Sequence, residues 1–346
     1  MRTIDFRYVL IRNGADYGEL KTFSGGEPTI RMNSSGEIKT SLSGSFLVPA
    51  EDYDLLRDQI RPEMIIDGDT HHLGLFLPSA VEEITDGPDH YLQVEAFDRC
   101  WQVQDSHLEN LLHIDAGTGY MQAIEARLAD AGIALVSASE SAAVLPEDRE
   151  WNVGTSRLTI INELLAEINY SSLWFDSEGL AVLEPAAVPS AGNIRHRIRS
   201  ENAKSLLRPA MQKAVDIYRT PNVFIAVCSN PDKSGAMRAV SVNDNPQSPL
   251  STIRRGRRIS TVINVSNIAD AAELQAYADR ARNESLVTGE KIGITTGLLP
   301  GFGVNDVIGI DSGDLFAVAI DSAWTMTLTV GGEMQHTLEK VVINLG

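Results

Sequence analysis

The residues able to do chemistry in this chain are few and poorly arranged for it. Seven histidines stand at His71, His72, His90, His107, His113, His196 and His336. None lies in a GxSxG nucleophile elbow or an HExxH zinc motif, the spacings that set a nucleophile or a metal against a general base. Adjacent residues on a strand point to opposite faces, so His71 and His72 do not form a joint metal-ligand pair. The 47 Asp and Glu residues make neighbouring carboxylates inevitable: Asp52 with Asp54, Glu82 with Glu83, Asp311 with Asp314. All adjoin turn formers, and solvated surface charge accounts for them better than a glycosidase pair does. Gly301-Phe302-Gly303 and Gly117-Thr118-Gly119 lack the lysine or third glycine of a phosphate-cradling loop and read as turns. The sequence therefore predicts no catalytic residue, no cofactor and no metal site.

One cluster stands out against the acidic background. Arg254-Arg255-Gly256-Arg257-Arg258 reads either as a solvated loop or as an electrostatic contact, its guanidinium groups pairing with carboxylates of an acidic partner or a neighbouring subunit. No aromatic residues interleave to stack bases. Arg254, Arg255, Arg257 and Arg258 are the candidate inter-subunit or partner contact. Cys100 and Cys228 are far apart and form no CxxC pair, which predicts buried, reduced thiols. The four tryptophans, Trp101, Trp151, Trp174 and Trp324, sit in apolar patterned segments and read as core.

The elements that must carry these residues follow from periodicity. Ile4 to Arg12, Glu19 to Phe23, Ile38 to Phe46, Leu75 to Leu77 and Tyr91 to Phe97 are short extended runs separated by turn formers such as Asn13-Gly14 and Gly25-Gly26. That pattern predicts antiparallel β structure, a barrel or a sandwich. A helix over Tyr120–Ala131 is stopped by Gly132. A second runs from about Ser156 to Asn169, with Thr155 as N-cap and Leu158, Ile161, Leu165 and Ile168 as its apolar stripe. The hairpin Leu173–Asp176 to Leu180–Leu183 follows it. After an interruption containing Pro185, Pro189 and Gly192, strand character returns at Ala214–Tyr218 and Val223–Cys228. A third helix spans Ala271–Leu286, with Asp270 and Glu273 at capping-box spacing, and the remainder is again strands and turns.

Composition sets the limits. A chain of 346 residues, 43% hydrophobic and 22% charged, is long enough for several domains and unlike disordered, collagenous or coiled-coil proteins. The formal net charge of −18 disfavours tight nucleic-acid wrapping, which needs clustered cations. It leaves room for a polymer that slides past a repelling wall. No secretory signal begins the sequence, and runs such as Val223–Cys228 and Phe316–Ile320 are too short to cross a bilayer.

Taken together, several stretches resemble the tail-hub or baseplate-hub proteins of phages and phage-like contractile injection systems. The longest is WNVGTSRLTIINELLAEINYSSLWFDSEG (Trp151–Gly179), similar to the helix-plus-hairpin insertion of those hubs. Leu42–Phe46, Ile60-Arg61-Pro62 with Leu73-Gly74, and Asn243–Ser251 add to it. So do Ala276-Tyr277-Ala278, Pro300 to Val307 and Gly332-Glu333-Met334. The resemblance implies a β-rich α+β protein with two tube-like antiparallel β-barrel domains and smaller inserted α+β domains. It places the first barrel at 1–105, completed by about 193–216. An inserted domain falls at 106–192, and a second barrel at 217–346 with an insertion at about 243–288.

It further implies a non-enzymatic virion structural protein of the distal tail or baseplate, assembled in the host cytoplasm. That protein forms a homotrimer and joins the tail tube protein to other distal tail or baseplate proteins, with DNA only in transit. No peptidase, lysozyme-like or spike module follows Gly332-Glu333-Met334, so a separate spike or tip partner is expected. Membrane insertion by this chain is not expected. A carbohydrate-binding or carbohydrate-active β-module protein, using carboxylates and tryptophans, is the alternative from another class.

Overall fold

The structure is a computed structural model that describes residues 3–49, 53–186, 190–199, 212–215, 220–228, 237–265, 271–286, 290–311 and 316–340. Among the described residues strand far outweighs helix, so the protein is β-rich as the spacing of turns predicts. Among the described residues the first part has strands as its regular elements: β1 (Ile4–Arg12), β2 (Ala15–Leu20), β3 (Thr29–Asn33), β4 (Thr40–Leu47), β5 (Gln59–Ile66), β6 (Asp69–His72), β7 (Leu77–Asp86) and β8 (Asp89–Phe97). Asn13 and Gly14, at φ 53° and 78°, supply the left-handed pair that a two-residue hairpin turn requires between β1 and β2.

Helices enter next, with α1 (Cys100–Asp105), β9 (Leu112–Ile114), α2 (Tyr120–Asp130), β10 (Val136–Ala138), β11 (Arg149–Trp151), α3 (Arg157–Glu167), β12 (Trp174–Phe175) and β13 (Ala181–Leu183). Gly132, at φ 78°, ends α2: its N–H bonds Ala129 O and that of Ile133 bonds Leu128 O, both at 2.9 Å, the paired bonds of a Schellman cap. The N-cap of α3 is Ser156, whose hydroxyl accepts from Thr159 N at 3.1 Å. Thr155, the expected cap, instead donates its hydroxyl to Asn152 O, so the helix begins one residue later than its sequence suggests. Its buried stripe is also broader, taking in Ile160 and Leu164 beside Leu158, Ile161 and Leu165, because α3 packs against both α1 and α2.

The last part holds β14 (His196–Arg199), β15 (Gln212–Val215), β16 (Val223–Cys228), β17 (Met237–Val242), α4 (Thr252–Arg255), β18 (Ser260–Val265), α5 (Ala271–Leu286), β19 (Glu290–Gly297), β20 (Val307–Asp311), β21 (Phe316–Thr327) and β22 (Glu333–Lys340). Several expectations lie outside the described residues: Asp52 and Asp314, the cap residue Asp270, Pro189, the end of the strand read at Ala214–Tyr218, and most of 193–216 beyond Arg199.

The sheets join distant parts of the chain. A ten-stranded sheet follows the path β15-β19-β22-β21-β3-β4-β8-β7, with β20 pairing β21 and β14 pairing β20. Its β3–β21 junction sets Met32 opposite Trp324 and Ile30 opposite Met326. A four-stranded sheet, β2-β1-β5-β6, covers part of it. Tyr8, Leu10, Ile60 and Met64 from the smaller sheet form one core with Ile30, Leu42, Phe46, Val94 and Met326 from the larger. Removing each such side chain from water stabilises by roughly 1.5–3 kcal/mol. A second core packs α1, α2 and α3 against β12 and β13, and a smaller one lies between α5 and the β17-β16-β18 sheet.

Candidate assembly interface

The larger sheet leaves β7 as its terminal strand among the described residues. Ala80 to Glu83, Thr85 and Asp86 are exposed along it. A long strand at a sheet edge presents unpaired N–H and C=O groups to any second chain, and charge on that strand is the usual protection. Glu82, Glu83 and Asp86 supply the charge here, and the irregularity between Pro78 and Ala80 adds a local bulge. This edge can extend a sheet only toward a partner that offers cations or accommodates carboxylates.

The arginine cluster lies on a different unit, at the start of β18. It does not form an unstructured loop: Thr252–Arg255 is a single helical turn, α4, whose N-cap Ser251 accepts from Arg254 N at 3.1 Å. Gly256, at φ 62°, closes the turn. Arg255 reaches back to donate to Thr220 O at 2.6 Å. Its pKa is drawn down by burial and then by the neighbouring Arg257, while Arg254, Arg257 and Arg258 are exposed.

The loop is pinned by a residue the sequence reading passed over. Asn222 is fully buried; its amide donates to Leu250 O at 3.2 Å and Arg257 O at 3.0 Å, and its Oδ1 accepts from Ile259 N at 2.8 Å. Asn243 and Ser248 add a second buried bond of 3.0 Å beneath the same loop. The cations are thus held on a braced platform, which reduces the ordering cost of docking. A polar Asn beside the apolar run Val223–Cys228 is the signal from which such a brace is legible.

One interior arrangement has the form of a hydrolase triad. His336 Nδ1 lies 2.6 Å from Asp321 Oδ2, and His336 Nε2 lies 3.1 Å from Thr296 Oγ1. All three residues are buried, at 0–2% exposure, and the Thr296 hydroxyl donates to Gly297 O at 2.9 Å. With that proton committed, Thr296 accepts from the imidazole. The group is a brace tying β19, β22 and β21 together, because a nucleophile sealed from solvent and already donating meets no substrate. Burial pushes the Asp321 carboxyl upward. Next to it, Phe302 stacks on His196 at 4.0 Å between ring centroids, and His196 and Arg195 both reach Asp306, at 3.1 and 2.9 Å.

That region borders a cavity of about 180 Å³. Met32, Phe76, Trp174, Phe302, Trp324 and Met326 are among the residues that line it. The Trp324 indole nitrogen is buried with no hydrogen-bond partner among the described residues.

The remaining sequence candidates separate in space. His71 and His72 face opposite sides of β6, and His72 pairs with Glu178 at 2.7 Å. Trp151, Trp174 and Trp324 are 5–7% exposed and belong to the core as read, whereas Trp101 is half-buried, its ring edge-on to Phe97 at 6.0 Å between centroids. Cys100 and Cys228 are free and buried, and burial raises the Cys100 thiol well above its ordinary range, making it unreactive. Among the described residues no helix is long and apolar enough to cross a membrane.

No family model matches the sequence, and comparison with curated proteins finds no match. Solved structures do match along nearly the whole length. A tail protein from Neisseria meningitidis superposes with a TM-score of 0.68 at 12% identity, covering 96% of each chain. The 43 kDa tail protein of prophage MuSo2 from Shewanella oneidensis gives 0.68 at 11% identity, covering 96% of this chain and 98% of its own. The E. coli c3393 protein, a type VI secretion component described as structurally similar to the T4 bacteriophage tail proteins gp27 and gp5, gives 0.55 at 10% identity. That match covers 97% of this chain and 78% of the other. The fold is that of phage and prophage tail proteins.

Proposed function

We propose that the protein is a structural hub of a phage or phage-like tail, joining the tail tube to the tip or spike. The observation that carries this reading is the end-to-end match to tail proteins, 96% of both chains for the Neisseria structure. On this reading the chain acts by geometry, without catalysis. Three copies close a ring, each contributing two tube-like barrels, so that a threefold object presents six similar units to a hexameric tube. The first barrel comprises 1–105 completed by about 193–216. The α+β domain of 106–192 is inserted, and the second barrel spans 217–346 with its insertion at about 243–288.

The exposed β7 edge and the braced cluster of Arg254, Arg255, Arg257 and Arg258 are the proposed contacts between subunits or with a partner. Those partners are the tail tube protein, distal tail or baseplate proteins, and a separate spike or tip protein, within the distal part of a virion assembled in the host cytoplasm. The net charge of −18 supports an acidic lumen through which DNA passes in transit without adhering. Mass photometry and negative-stain imaging of purified protein test the reading: a trimer with a central hole is expected, and a monomer at every concentration overturns it.

A further inference from the structure

We propose that the ribbon of β9 and β11 carries a divalent-cation site built from His113, Asp115 and Asp148, of the kind filled by Zn²⁺. The inference is independent of the tail assignment. Strands β9 and β11 pair antiparallel with His113 directly opposite Glu150. Asp115 and Asp148 lie just beyond the paired residues, one position past Ile114 and one before Arg149. One ligand atom from each of His113, Asp115 and Asp148 falls within a common span of 4.8 Å. His113 Nε2 is 3.2 Å from Asp115 Oδ1 and 4.0 Å from Asp148 Oδ2. Zinc bonds of about 2.0–2.1 Å in tetrahedral geometry separate neighbouring ligand atoms by roughly 3.3 Å, so a cation needs only small side-chain adjustments to sit among them.

Two features distinguish this set from a patch of acidic surface. The atoms not facing the shared point are already held: His113 Nδ1 by Glu150 Oε1 at 3.0 Å, and Asp148 Oδ1 by the Ala116 N–H at 2.8 Å. That is the outer support that fixes a ligating imidazole and carboxylate in orientation. The second feature is energetic. Like charges held close together repel, and the carboxylates of Asp115 and Asp148 both approach His113 Nε2, at 3.2 and 4.0 Å. Among the described residues the only cationic partner of Asp115, Asp148 or Glu150 is His113 itself. Arg149 alternates to the other face of the ribbon, where it bonds Glu163 and Glu167.

One imidazole with two carboxylates suits Zn²⁺ or Mn²⁺ over Ca²⁺ or Mg²⁺. With all three ligands exposed, the remaining coordination positions open to solvent, where water or a partner's side chain completes the shell.

The test is equilibrium dialysis of the full chain against Zn²⁺, read together with its melting temperature. One saturable ion per chain and a rise in melting temperature are expected. His113→Gln and Asp148→Asn should each weaken binding at least tenfold, and Glu150→Gln by about tenfold through loss of orientation. His90→Gln removes another exposed histidine that pairs with a carboxylate, Glu83, and should leave binding unchanged. Because His113, Asp148 and Glu150 are all exposed, circular dichroism should show every variant folded. If one is not, Asp115→Asn serves in its place. No saturable binding below about 1 mM in the wild type, or undiminished binding in both His113→Gln and Asp148→Asn, overturns the proposal.

Discussion

Arg12 and Asp58 carry much of the electrostatic order in the smaller sheet. The guanidinium makes two bonds to one carboxylate, at 2.5 and 2.7 Å, and Asp58 is 1% exposed. Arg12 holds the Asp58 carboxyl below its usual range. The sign of its pH dependence follows: the contribution is fully present above the unfolded pKa of about 3.9 and is lost as pH falls through the depressed folded value. Arg12→Ala leaves a buried carboxylate with one strong partner fewer and should cost about 2–3 kcal/mol at pH 7. Urea titrations at several pH values check this, and the gap from wild type should close progressively below about pH 4.

His336 makes a different demand, because Asp321 depends on it: among the described residues the other carboxylate oxygen has no partner. His336→Leu alone should cost about 3–5 kcal/mol, whereas His336→Leu combined with Asp321→Leu should recover a substantial part of that loss. Equal destabilisation by the single and double variants in denaturant titration would contradict the brace.

At the level of elements, the single turn α4 and the edge strand β7 are the two surfaces on which the proposed assembly rests. The platform beneath α4 is rigid because Asn222 ties both sides of the loop, so the surface arginines can be altered without touching the fold. Substituting the exposed Arg254 and Arg258 with serine should weaken self-association or partner binding at least tenfold at low ionic strength. The difference should narrow near 1 M salt, where screening acts within about 3 Å. Analytical ultracentrifugation at two salt concentrations measures it, and an unchanged dissociation constant at low salt would remove these residues from the interface.

Across the whole molecule, local pattern was far more legible than pairing. The bounds of the strand Val223–Cys228 and the helix Ala271–Leu286 are those read from periodicity, and Gly132 marks the end of α2 because only a left-handed residue closes it. The extent of β7, the short α1 and the β10–β13 pairing were not legible, since exposed edge strands carry no apolar alternation and two- or three-residue strands are defined by their partners. The β3–β21 junction is a tertiary fact that no local window contains. The same holds for the polar groups: His336, Asp321 and Thr296 meet only across three strands, and His113, Asp115 and Asp148 only across a ribbon. The cluster Arg254–Arg258 was visible at once because it is contiguous, yet its helical turn was not, and its buried anchor Asn222 was signalled only by a polar residue opening the apolar run Val223–Cys228.

The seam between β3 and β21 sets a schedule for biosynthesis. Tyr8 donates to Leu328 O, so the opening strands of the chain share a core with residues made 320 positions later. At translation rates of about 5–20 residues per second, the early strands wait tens of seconds for the chain that completes their sheet. A truncated product would therefore lack the central seam as well as its tail, leaving Tyr8, Leu10 and the rest of the early core without the strand that covers them.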